Sequence, residues 1–192
     1  MEIETAQSEI RRAYLRGGPG AIVSGLVWFV SGIAATVSGV PIGFAVLFFG
    51  GMLIFPVATF IVRNLLRREP VSKNNPGGLT VIETVFPMIS GLMAAWLLIP
   101  YRPEFVFPMS AIAVGAHYFG FRTAYGDWTN WVLGGTMCLV GIGTIFNGTP
   151  NANTVPYVIA TIEIAFGCWL TLNSISKERL DTSVGKHSNM GG

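Results

Sequence analysis

The stretch VSGLVWFVSGIAATVSG, residues 23–39, repeats the pair Ser-Gly three times: Ser24-Gly25, Ser31-Gly32 and Ser38-Gly39, each seven residues after the last. Apart from Thr36, the residues between the pairs are apolar. Seven residues are close to two turns of α-helix, so Gly25, Gly32 and Gly39 share nearly one face, drifting by about 20° per heptad. A helix that is apolar all round with a stripe of very small residues reads as a membrane helix carrying a groove. Inside lipid, helices associate through close van der Waals approach, which small residues permit. The next apolar run keeps the spacing with Gly43 and Gly50, and only Gly39-Val40-Pro41 separates the two runs. The reading is an antiparallel pair packed groove to groove, with Gly25, Gly32, Gly43 and Gly50 as packing positions; an oligomer face is the alternative. The apolar flanks and the spacing exclude a phosphate loop.

The rest of the chain fits the same solvent. Of 192 residues, 51% are hydrophobic and 11% charged, against about 25% charged in soluble domains. The charges cluster between apolar runs of about twenty residues, the length that crosses a hydrocarbon core about 30 Å thick. Six such runs fall near 19–38, 41–63, 79–100, 105–121, 129–147 and 154–173. The fourth is the weakest, being short and carrying His117. The expected fold is an all-α membrane protein with six transmembrane helices arranged as three short-looped hairpins.

Residues 1–18 read as an N-terminal interfacial segment, with Ile3, Ile10 and Tyr14 on one face and Arg11, Arg12 and Arg16 towards lipid head groups; a frayed tail is the alternative. Residues 19–173 form the transmembrane domain. Residues 174–192, rich in Ser, Gly and charge, read as a flexible tail. The arginines before the first run mimic a signal peptide, but the run is too long and no A-x-A site follows, so it is read as a retained span.

Orientation follows from the basic residues. With both termini cytoplasmic, eleven of the twelve Lys and Arg lie inside, and Arg102 alone lies outside. This is the positive-inside pattern. Trp96, Tyr101, Trp128, Trp131 and Tyr157 sit near span ends as an interfacial belt. Cys138 and Cys168 both fall in apolar runs and read as packing residues, not as a disulfide or thiol metal site. Asn147-Gly-Thr matches a glycosylation pattern but abuts the membrane and is not taken as a site.

Ionisable groups within spans are expensive, and they usually face a protein interior or a wet cavity. Glu163 falls near the middle of the sixth run. Glu83, in the third, and His117, in the fourth, fall roughly 5–10 Å nearer the cytoplasm at 1.5 Å per residue. The three are expected to converge on one polar pocket, joined by Tyr118 and Arg122, which are four residues apart and share a helix face. Bland readings stand beside this one. Glu83 reads equally as a helix-start carboxylate at the membrane edge, His117 as a packing residue, and Arg122 as an anchor. Glu163 is hardest to explain away. No metal-ligand spacing, Walker loop or nucleophile elbow is present, so neither metal nor cofactor is expected. The expected partners are the lipid bilayer and a second copy or another membrane protein, with no nucleic acid.

Three stretches, AYLRGGPGAIVSGLVW (13–28), LFFGGMLIFP (47–56) and VGAHYFGF (114–121), resemble a family of small bacterial multi-pass membrane proteins of unknown function. The resemblance extends from about residue 6 to 173. It implies a bacterial cytoplasmic (inner) membrane location, and it implies no activity and assigns no functional residue. Two functions stay open: a small transporter or channel-like protein built on the polar pocket, and an accessory or sensory protein acting through helix or lipid contacts. A membrane enzyme would need His117 paired with a carboxylate.

Overall fold

The computed structural model describes residues 2–147 and 152–188, with side chains described as far as Glu178. Among the described residues there are seven α-helices and no strand. They are α1 (Ile3–Tyr14), α2 (Gly18–Ser38), α3 (Val40–Phe60), α4 (Gly77–Leu97), α5 (Val106–Tyr125), α6 (Thr129–Asn147) and α7 (Val155–Ser188). Among the described residues, five helical stretches are long and apolar enough to cross a membrane: those containing α2, α3, α4, α6 and α7. The remaining expected span, the fourth, corresponds to α5. It is a full helix of 20 residues, but its polar positions, among them His117 and Arg122, leave it outside that group.

Local chemistry sets the boundaries. The α1 helix carries Glu4 in its first turn and Arg11 and Arg12 in its last, as the helix dipole favours. It stops at Leu15, Arg16 and Gly17, three successive left-handed residues, and Pro19 then opens α2. Gly39, at φ 90°, makes the tight turn into α3, a conformation that side-chain-bearing residues avoid. Gly126 ends α5 in the left-handed region, its N–H bonding to the Arg122 carbonyl at 2.8 Å. Asp127 then caps α6: its Oδ1 accepts from the N–H of Thr129 at 3.1 Å and from the hydroxyl at 2.7 Å. After α3 the chain makes one π-helical turn, Ile61–Leu65.

The helices form two layers of three. One layer sets α2 between α3 and α7, and the other sets α5 between α4 and α6. Trp28, Phe107, Leu133, Met137 and Ile159, all nearly or fully buried, fill the space between the layers. The outer faces of α3 and α4 are studded with exposed apolar side chains such as Phe49, Phe55 and Phe86, the surface that lipid would wet.

Two expectations change here. The third hairpin is splayed: α6 packs on α5 and α7 packs on α2, in different layers. The glycine stripe on α2 meets α7 and not α3. A Cβ at Gly25 would lie 2.9 Å from the Ala160 carbonyl oxygen, and one at Gly32 would lie 2.9 Å from the Tyr157 ring. Gly43 and Gly50 do face α2, but against Ala35 and Val27. Successive helix residues differ by about 100° around the axis, so neighbouring Ser and Gly serve different partners. Gly32 receives α7, while the Ser31 hydroxyl donates to the Gly43 carbonyl of α3 at 2.8 Å.

The α1 helix packs against α5 and α4 at one end of the bundle. Ala6, Ile10 and Ala13 are buried, whereas Ile3 is 75% exposed and does not join that face. The α7 helix continues to Ser188, so most of the stretch read as a flexible tail is helical. Residues 189–192, and the Gly-Thr of the Asn147 pattern, lie outside the described residues.

Candidate functional site

Glu163 is fully buried on α7. Its Oε1 accepts a hydrogen bond from the Tyr118 hydroxyl of α5 at 2.8 Å. Ser24 of α2, also buried, stands beside both groups. The second carboxyl oxygen, Oε2, is shut from solvent and has no hydrogen-bond partner. Buried polar atoms in folded proteins are almost always paired, and an exception calls for an explanation. The Tyr118–Glu163 bond also joins the two layers, since α5 belongs to one and α7 to the other.

The other expected members do not converge there. His117 turns to α4, with its Nδ1 2.7 Å from the Thr84 hydroxyl and its ring edge-on to Phe121. Arg122 is exposed and lies over the Trp131 ring, 5.2 Å from its centroid. It therefore does not share the buried face of Tyr118. Glu83 is exposed on α4. Of the five residues expected in one pocket, Glu163 and Tyr118 come together, and no His117–carboxylate pair forms among the described residues. Ser24 was missed, although it sits in the opening stretch. A small hydroxyl beside a packing glycine gives no sign of which helix it faces.

A second polar cluster closes the α1 end of the bundle. Arg16 pairs with Asp127, their side chains 17% and 5% exposed, and also lies over the Trp169 ring of α7. Arg11 donates to the Tyr125 carbonyl, and Gln7 to that of Thr123. Glu9 accepts from Ser72 and Asn75 in the α3–α4 connection. Burial pushes the Asp127 carboxyl up, but the Thr129 hydroxyl and N–H together with Arg16 outweigh it and hold it below the usual carboxylate range.

An all-helical chain with five spans of membrane length and a carboxyl locked between its layers is an integral membrane protein. Residues 3–173 match the family described as "Family of unknown function (DUF7010)", and the chain belongs to it. No curated protein and no solved structure matches the chain.

Proposed function

We propose that this protein is a small carrier in which Glu163 takes up a cation between the two helix layers and releases it when they part. The supporting observation is the Glu163 carboxyl itself: fully buried, held from the opposite layer by Tyr118, and left with one oxygen unpaired. A carboxyl in this setting is expensive, which makes a functional role its default reading. In this reading α5 also crosses the membrane, which makes six spans, and both termini face the cytoplasm. Eleven of the twelve basic residues of the sequence then fall in cytoplasmic segments, as the positive-inside rule asks. The membrane is the bacterial cytoplasmic one.

Proteoliposomes on a solid-supported membrane, challenged with steps of Na⁺, K⁺ or pH, test the reading. Wild type is expected to give a transient current under one of these steps, and Glu163→Gln none. Equal currents in both proteins, or none in either, would favour the second reading, an accessory protein acting through helix contacts. That reading draws on Gly51 and Gly135, where an added Cβ would meet nothing and another membrane helix could lie close.

A further inference from the structure

We propose that the cation taken up by Glu163 is the proton and not a metal ion; this rests on the carrier reading above. The first argument is charge. The α2, α3 and α6 helices contain no Asp, Glu, Lys, Arg or His. The two cationic candidates on α5 are turned elsewhere, His117 to Thr84 and Arg122 to Trp131. From α5 the one titratable group facing Glu163 is Tyr118, and from α2 its neighbour is the neutral Ser24. Cys138, the one thiol on α6, has its Sγ 3.6 Å from the Ile112 carbonyl. A buried carboxylate without a cation is costly, whereas the same group carrying a proton is neutral.

The second argument is the ligand set. Hard metal ions take six or so oxygens. The side chains here offer four: both oxygens of Glu163, the Tyr118 hydroxyl and the Ser24 hydroxyl. Backbone carbonyls do not make up the difference, because α2, α5 and α7 run unbroken past the site and their carbonyls are committed to helix bonds. Membrane helices that bind metal cations through the backbone are unwound at the site. In this chain the prolines deep inside helices are Pro56 of α3 and Pro87 of α4, and neither helix carries a group of the site. Among the described residues, no three His, Cys, Asp or Glu side chains come together as a metal site.

In this proposal the proton sits on Oε2, the oxygen without a hydrogen-bond partner, and the Tyr118 hydroxyl donates to Oε1. When the layers part, the Oε2–H bond breaks. Its electron pair stays on the carboxylate, and the proton passes to a water molecule as hydronium. Reloading from the other side reverses the step, with Tyr118 bonded to Oε1 throughout.

Infrared spectroscopy of the full chain in proteoliposomes at neutral pH tests the assignment apart from transport. Wild type should show the carbonyl stretch of a protonated carboxylic acid. The band should vanish in Glu163→Gln, shift in Tyr118→Phe as the bond to Oε1 is lost, and stay unchanged when choline replaces Na⁺ and K⁺. Absence of the band in wild type, or its loss on adding Na⁺ or K⁺, overturns the proton assignment. In the current measurement, a response to Na⁺ or K⁺ steps and none to pH would overturn the proton while leaving the carrier reading intact. A band with all these properties but no current under any step would overturn the carrier reading and leave a protonated Glu163 in place. Circular dichroism of both variants establishes that they fold.

Discussion

The contacts within a layer differ in kind from those between layers. Within layers, backbone approaches backbone where α2 meets α7 and α5 meets α6. A Cβ at Gly18 would lie 2.7 Å from the Gly167 carbonyl oxygen across α2 and α7, and one at Gly115 would lie 2.7 Å from that of Gly134 across α5 and α6. Between layers, large side chains such as Trp28 and Met137 fill the space, and two polar bridges cross it: Tyr118–Glu163 in the interior and Arg16–Asp127 at the α1 end. Glycine-paved seams leave little slack: an added Cβ meets a main-chain carbonyl at Gly18 and Gly115, and a packed side chain at Gly32 and Gly50. Side-chain interfaces can repack through rotamer changes. Under the carrier proposal the layers would move as units and the seam between them would part, and the buried carboxyl sits on that seam.

The largest test of the contrast is Gly25→Leu, which drives a side chain into Ile164 and the Ala160 carbonyl. A cost of about 3 kcal/mol or more is expected, read as loss of monodisperse protein or a sharp fall in Tm in mild detergent. Leucine at Gly51, where a Cβ meets nothing, should change Tm little. Similar losses at both positions would mean that the seams are no tighter than the rest.

Next comes Asp127→Asn, which leaves Arg16 unpaired. About 2 kcal/mol is expected, between an exposed pair and a fully buried one. The pH dependence has a definite sign. Since the folded carboxyl titrates below its unfolded value, its contribution is present above pH ~4 and is lost as pH falls through the folded pKa. Thermal unfolding should therefore lose more stability on acidification in wild type than in Asp127→Asn. Parallel curves would remove Asp127 as a lock between the layers.

The interior bridge should be worth less. A double-mutant cycle of Tyr118→Phe and Glu163→Gln is expected to give a coupling of about 0.6 kcal/mol, typical of hydrogen bonds between membrane helices. A coupling indistinguishable from zero would separate the two side chains. The smallest effect belongs to Glu9→Gln. The Asn75 amide, with Ser72, holds the Glu9 carboxyl below its usual range. Hydrogen exchange in α1 should quicken in the variant while the spans stay protected.

Much of the architecture was legible in composition and spacing, since a bilayer imposes length and apolarity on every span, and both are local properties. The small-residue stripe announced close packing because glycine on a helix face means the same thing wherever it occurs. Its partner was not legible: Gly25 would fit against α3 or α7 equally well on paper. At the site, Glu163 stood out because a carboxyl in an apolar run is anomalous by itself. Tyr118 was placed with Arg122 by their spacing of four, yet one is buried and the other exposed. Over that turn α5 meets different neighbours, Glu163 of α7 at Tyr118 and Trp131 of α6 at Arg122, so spacing alone could not separate them. Asp127-x-Thr129 carries a capping pattern, but its pairing with Arg16, more than a hundred residues away, has no local trace.

Local chemistry therefore settled the solvent, the helices, their ends and a mid-span carboxyl that does not belong in lipid. Which helices touch, which oxygen of that carboxyl stays unpaired and which basic residue closes the seam are properties of the assembled bundle. They depend on contacts between residues distant in sequence, where several pairings satisfy the same pattern and only the packed bundle selects one.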